Sequence, residues 1–307
     1  MRNTPENSEK PIYVQRVNLV IDHVVAHLDR RVSLEEAAEI AGFSSFHFHR
    51  IFRAVAGETL NDFGKRLRLE KALDLLAKHG PASLTEIALR CGFQSSSDFS
   101  RSFKSRFGVP PSVFDLDRFR EQRRLEMVNA TFGEENAHRV PHLPRGENPD
   151  GFRVELIELP ARRVAYLRVL DPYRAGVVVE AAERFVAWAE DRNLAQGTWL
   201  GYMWDNPEIV AHCDCRYDVG LEVSSGFRAE GEIGVIDFPP MTLATIPVVG
   251  GIELEMRALD WIFETWLPSS AYAPTDLPSF EAWHGRPFAH GIEHFALDVQ
   301  LPVQRMS

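Results

Sequence analysis

The sequence predicts a multidomain chain: an all-α N-terminal domain over residues 11–118, a linker over 119–150, and an α+β C-terminal domain of two similar βαβ-type halves over 151–303. Three observations carry that prediction. The N-terminal third contains an internal repeat at an offset near 50 residues. The C-terminal half contains a weaker one, in which IELPARRVAYLRV from Ile157 resembles IDFPPMTLATIPV from Ile236. The charge also changes sign between them: residues 1–124 hold 20 Lys+Arg against 16 Asp+Glu, the remainder 14 against 28, and no lysine follows Lys104. Such a shift within one chain marks a domain boundary with different partners on each side.

In the first repeat, SLEEAAEIAGFSS from Ser33 aligns with SLTEIALRCGFQS from Ser83. Ser33/Ser83, Glu36/Glu86, Ala38/Ala88, Gly42/Gly92 and Phe43/Phe93 match at offset 50, and Phe48/Phe99, Arg50/Arg101, Phe52/Phe103, Gly57/Gly108 and Phe63/Phe114 at offset 51. Ser-x-x-Glu is a capping box at a helix start. Gly42 and Gly92 supply a tight turn where a Cβ would be strained. A second helix then starts near Ser44–Ser45 or Ser95–Ser96 and turns Phe48, Ile51 and Phe52, or Phe99 and Phe103, inward. Two helices joined by a glycine turn make a helix-turn-helix unit, so the N-terminal domain holds two. Upstream, Val17, Ile21, Val24 and Leu28 follow helical spacing, and Leu60–Lys78 reads as a connecting helix stopped by Gly80-Pro81. Residues 119–150 begin as a charged helical extension and then gather Pro, Gly, Asn and Glu.

In the C-terminal domain each half is predicted to continue with a helix (Arg174–Asp191, Glu253–Trp266) and two strands. The strands are Thr198–Trp204 and Tyr217–Val223, then Phe280–His284 and Phe295–Leu301. Their alternating apolar residues fit strands buried on at least one face.

Composition narrows the class. No apolar run approaches the ~20 residues of a membrane span, and the start MRNTPENSEKP lacks the apolar stretch of a secretory signal. Three cysteines, Cys91, Cys213 and Cys215, form no framework, and a reducing cytoplasm is expected. His212-Cys213-Asp214-Cys215 lacks paired zinc spacing, and His284, His290 and His294 have no helix to align them, so neither metal nor cofactor is predicted. No phosphate-binding glycine loop or G-x-S-x-G motif is present.

The second helix of each repeat has an outward face. In SSFHFHRIFR it carries Phe46, His49, Arg50 and Arg53; in QSSSDFSRSFK it carries Ser96, Ser97, Asp98, Ser100, Arg101 and Lys104. Arginine forms bidentate hydrogen bonds to guanine, and an apolar group covers a thymine methyl. A charged helix face is most often merely solvated, but two such helices on one connector suit adjacent turns of a groove.

Residues 12–118 resemble the DNA-binding domain of the AraC/XylS family. IALRCGFQSSSDFSRSFKSRFGVPPSVF (Ile87–Phe114) keeps the pattern GF-x-S…F-x-R-x-F-K-x-x-F-G-x-x-P-x-x-F throughout. The resemblance implies a transcription regulator with promoter DNA as partner. It implies base readers at Phe46, His49 and Arg50, with Ser96, Ser97, Asp98, Ser100 and Arg101 in the matching places of the second unit. The small Ser96-Ser97-Asp98 set implies weak readout there, with Arg101 and Lys104 mainly on phosphates.

Residues 151–303 resemble the effector-binding domain related to DNA gyrase inhibitory protein, through WLGYMWDNPE, CRYDVGLEV and PSFEAWHG…IEHFALDVQLPV. That resemblance implies a small hydrophobic effector, cationic if a buried glutamate holds it. The matching glutamate is Glu281, with Trp283 on the same strand face and Tyr166, Tyr202, Met203 and Trp204 as further candidates. A carboxylate among aromatic rings suits a cation, although single rings mostly fill cores. Two alternatives stand beside the sensor. One is a hydrolase in which Glu281 with Tyr166 or Tyr202 activates water. The other is a module for a protein partner such as RNA polymerase or a topoisomerase. An attached DNA-binding domain needs an input, which ranks sensing first and enzyme chemistry below it.

Overall fold

A computed structural model of the chain describes residues 10–78, 83–133 and 143–306. The expected stop at Gly80-Pro81 and part of the expected linker lie outside the described residues. The chain divides into two compact units: residues up to Gln122 together with Ala229–Gly234, and Arg123–Arg228 together with the residues from Val235 on.

The first unit is helical: α1 (Lys10–Ala26), α2 (Leu34–Ala41), α3 (Ser45–Ala56), α4 (Leu60–Lys78), α5 (Leu84–Arg90), α6 (Ser96–Phe107) and the start of α7 (Leu116–Phe132). Each short helix starts where its serine says it should. Ser33, Ser44, Ser83 and Ser95 accept the N–H of Glu36, His47, Glu86 and Asp98, removing one orphan donor each. The first capping box is only half made. The Glu36 carboxylate goes to His23 at 2.7 Å and Arg30 at 2.5 Å, a stronger pairing than a backbone N–H offers.

Gly42 and Gly92 turn with φ of 68° and 72°. At Gly92 a Cβ would also stand 2.5 Å from the Leu28 carbonyl oxygen, so backbone meets backbone and only glycine fits. The apolar faces of α1, α2 and α3 close around Phe48 and Phe52, with Leu60, Phe63 and Leu67 of α4 completing that core. Leu69, Ala72, Leu73 and Leu75, further along α4, are buried as well. A helix apolar on more than one side is one packed on more than one side, and α4 contacts α1 and α3 as well as α5 and α6. It is the connector expected from the sequence.

The second unit contains an antiparallel sheet. Its first half supplies β1 (Glu155–Leu159), β2 (Arg162–Leu170), α8 (Val177–Asp191), β3 (Trp199–Met203) and β4 (Arg216–Val223). The second supplies β5 (Gly234–Phe238), β6 (Met241–Gly250), α9 (Ile252–Trp261), β7 (Tyr272–Pro274), β8 (Ser279–Trp283), β9 (Ala289–Ile292) and β10 (Phe295–Arg305). The strand order is β1-β6-β10-β8-β3-β4-β2-β5, with β7 on β10. β4 is antiparallel to both β2 and β3, so β2 and β3 run parallel with β4 between them. β6 and β8 stand in the same relation around β10. The βαβ reading of each half is thus refined to a split βαβ with an antiparallel strand inserted, and the first strand of each half pairs with the other half, β1 with β6 and β5 with β2.

The order reads the same from either end when halves are exchanged, so a pseudo-two-fold axis passes between β8 and β3. The sheet is not flat. β5 lies four strands from β8, about 19 Å across a flat sheet, yet Phe238 and Phe280 have ring centroids 4.9 Å apart. The edge must curl over one face, and Val164, Tyr166, Leu200, Tyr202, Phe238, Leu243 and Phe280 fill the enclosed space.

Candidate functional site

On α3, Phe46, His49, Arg50 and Arg53 are all exposed, and Phe46 keeps 71% of its surface. Phe48 and Phe52 on the opposite side are fully buried, whereas Ile51 is half-buried. On α6, Ser97, Arg101 and Lys104 are exposed, but Ser96, Asp98 and Ser100 are half-buried. All six residues expected on the outward face of α6 thus keep solvent contact, three of them in part, and the Asp98 side chain is 44% exposed. Arg101 also stands 4.0 Å from Asp98, one turn back.

In the second unit the site is built by register. Gly201 of β3 pairs with Glu281 of β8 at the pseudo-two-fold axis, and Trp199 pairs with Trp283. Alternation puts Trp199, Gly201, Met203, Glu281 and Trp283 on one face, together with Tyr217, the partner of Met203 on β4. Trp199 meets Phe185 of α8 edge-on at 5.7 Å, which identifies this as the face the helices cover. Tyr217 donates its hydroxyl to Glu281 Oε2 at 2.5 Å. A Cβ at Gly201 would collide with that hydroxyl and that carboxylate, so glycine here makes the room.

Glu255 projects from α9 towards the same carboxyl and is 5% exposed. Burial, and then the neighbouring Glu281, push its pKa well above the usual carboxylate range. Glu281 is raised to about 7 by burial, against the Tyr217 hydroxyl, the Trp283 indole and Glu255, which hold it down. The indole N–H lies near the carboxyl without reaching hydrogen-bond geometry. Glu281, Met203 and Tyr173 nevertheless keep solvent contact, which makes this a cleft and not a sealed core. Tyr173 donates to Met203 Sδ at 3.5 Å, and the His212 ring lies tilted against its ring, centroids 4.6 Å apart.

Of the predicted effector residues, Glu281, Trp283 and Met203 come together. Tyr166, Tyr202 and Trp204 do not. Tyr166 and Tyr202 point to the opposite, enclosed face, where Tyr202 packs on Trp204, Phe238 and Phe280. Trp204 Nε1 donates to Asp218 at 2.7 Å, beside the bidentate Arg168–Asp218 pair. The hydroxyl beside Glu281 is Tyr217, which corrects the pairing with Tyr166 or Tyr202. Sequence reasoning also missed Glu255 and Tyr173. Glu255 had a signal: it shares the inward helical stripe of Ala258 and Ile262, both fully buried. Tyr173 sits between elements and had none. An open groove lined by Leu159, Met241, Leu277 and Arg305 contains none of the predicted residues. Among the described residues, no helix is long and apolar enough to cross a membrane.

Residues 37–116 match the family described as a helix-turn-helix domain, and residues 152–304 the GyrI-like small molecule binding domain. The TetD protein of transposon Tn10 from Escherichia coli is 35% identical over 111 residues, 35% of this chain and 75% of that protein. The probable transcriptional regulator LumQ of Photobacterium leiognathi is 31% identical over 105 residues, 34% of this chain and 42% of LumQ. The chain thus spans less than half the length of LumQ. A solved transcriptional regulator of Chromobacterium violaceum with an AraC-type DNA-binding domain is 26% identical, with a TM-score of 0.30 over 32% of this chain and 86% of that one. Doubled units, their glycine turns, the two family matches and the likeness to TetD agree: the chain belongs to the AraC/XylS family of helix-turn-helix regulators and carries a GyrI-like domain after the helix-turn-helix pair.

Proposed function

We propose that this chain is a one-component transcription regulator. Its helix-turn-helix pair binds promoter DNA through α3 and α6, and its GyrI-like domain takes a small hydrophobic effector whose positive charge meets Glu281. One observation carries this reading: a carboxylate on the sheet axis, among Trp283, Tyr217 and Tyr173, is packed deeply yet open to solvent. A charge held so has lost much of its hydration, and a cation with an aromatic or aliphatic body replaces it through charge and ring quadrupoles. Phe46, His49 and Arg50 are the base readers, with Arg53, Ser97, Arg101 and Lys104 on the backbone. Ser96, Asp98 and Ser100, half-buried, contribute close approach more than readout.

Calorimetry with benzyltrimethylammonium and its uncharged isostere neopentylbenzene tests the effector half. Glu281→Gln should weaken the cation strongly and leave the isostere unchanged. Equal loss for both would make Glu281 a residue of the fold alone, and binding of neither to the wild type would overturn the cation reading. Footprinting tests the other half. Two recognition helices on one chain should protect one asymmetric site of about two helical turns, with contacts ~34 Å apart, even for a monomer.

The Tyr217–Glu281 hydrogen bond also favours a second reading, in which the carboxylate activates water against a bound substrate. Turnover of a bound compound that disappears in Glu281→Gln, with DNA affinity unresponsive to that compound, would prefer the enzyme.

A further inference from the structure

The helix that leaves the helix-turn-helix pair reaches the cleft. α7 starts where Phe119 meets the rings of Phe107 and Phe114 at 5.7 and 5.2 Å, and it runs without a break to Phe132. From Arg123 on, it belongs to the second unit. There Met127 and Val128 are 8% and 3% exposed and pack with Met256, Ile252, Phe132 and Tyr173. Arg124 makes two 2.7 Å hydrogen bonds to Asp260 and lies 3.5 Å from Glu208. The Leu143 N–H donates to the same Asp260 carboxylate at 3.2 Å.

A charged linker helix would be solvated. This one is buried along one side and clamped by a bidentate ion pair, the geometry that loses most when one partner is removed. Tyr173 connects it to the carboxyl pair. Its ring packs in the α7 cluster, its hydroxyl reaches Met203, and it lies within the field of Glu281 and Glu255. Met256, under α7, adjoins Glu255 in the chain. A molecule laid over Glu281 competes for the space that Tyr173 and Met256 share with Met127 and Val128.

We propose that the second half of α7 is a lid on the Glu255–Glu281 cleft, shut by the Arg124–Asp260 clamp, and that a molecule seated on Glu281 displaces it. Cleft occupancy then reaches the helix-turn-helix pair through one continuous helix. This rests on the effector reading of the cleft.

The test is amide hydrogen exchange of full-length protein, read at residues 124–132, beside DNA affinity. Saturating benzyltrimethylammonium should speed exchange there at least tenfold and change DNA affinity. Met203→Trp, which fills the space under Tyr173 without any ligand, should do the same. Arg124→Ala opens the clamp from its outer side and serves if Met203→Trp does not fold; it should speed exchange over the same stretch and shift DNA affinity in the same direction. If Met203→Trp or Arg124→Ala opens residues 124–132 while the cation does not bind, the lid stands and the cationic effector fails. If the cation binds and exchange stays unchanged, or if Arg124→Ala leaves both exchange and DNA affinity as in the wild type, the lid is overturned.

Discussion

Arg50 and Lys104 are both exposed cations on helix faces, and they should nevertheless do separable work. Arg50 stands mid-helix on α3, and a bidentate contact to guanine there discriminates between bases. Arg50→Ala should cost ~1–3 kcal/mol and relax preference at one base pair. Lys104, in the last turn of α6, is proposed to meet a phosphate as a point charge. Lys104→Ala should weaken all sequences alike and reduce the salt slope by about one unit. Equal loss on specific and random DNA for both variants would contradict the base-reading role of Arg50. Glu281 makes a prediction in pH. Its folded pKa is raised, from 4.5 to about 7, so between those values the folded protein binds more protons than the unfolded chain. Stability must then fall as pH rises through that window and level off above it. Thermal melts of Glu281→Gln should show a shallower slope, the remainder coming from Glu255, which burial also raises. A cation needs the carboxylate, so its affinity should rise with pH across about 7 in the wild type and stay flat in the variant.

Among the elements, the turns of the two repeats look alike in sequence and are not alike in tolerance. Gly57 and Gly108 end α3 and α6 with φ of 79° and 81° and with nothing near a would-be Cβ. Alanine at either should cost only the left-handed penalty, ~1–2 kcal/mol. Gly92 carries the same penalty and adds a collision with the Leu28 and Asp29 backbone, which cannot rotate away. Gly92→Ala should therefore destabilise well beyond either of the others, measured by denaturant midpoint at constant m. Gly42 is intermediate, because its obstacle is the Arg16 guanidinium, the far end of a flexible side chain. Matching sequence positions thus differ in consequence, since the second unit turns against another loop and the first against a side chain.

Across the molecule, the curled sheet buries two bidentate ion pairs. Arg168 and Asp218 are 1% and 0% exposed at the side chain, and Arg216 and Asp205 pair at 2.6 Å with 4% exposure each. Trp204 Nε1 supplies a further donor to Asp218. Removing one partner strands a buried ion, so Arg168→Met should cost about 3–5 kcal/mol, whereas Arg168→Met with Asp218→Leu should recover much of that loss. Equal stability of the single and double variants, by chemical denaturation, would show that the ion pair is not the determinant.

The sequence by itself determined the elements and the repeats. Serine caps, glycine turns and apolar spacing are local, and each is satisfied within a few residues of where it is written. That is why α4 spans Leu60–Lys78 as expected and the strands of both halves fall within a few residues of their predicted ends. It also placed Glu281 and Trp283 on one strand face, since alternation is local too. Which face that was, and what else shared it, was decided only by the tertiary structure. Tyr166 and Tyr202 are separated from Glu281 by the thickness of the sheet, because strand order and register, not composition, assign a side chain to one layer or the other. Glu255 comes to Glu281 from α9, Tyr217 from β4 and Tyr173 from the segment between β2 and α8. No periodicity records such a meeting; it exists only once the sheet has curled and the helices have closed over it.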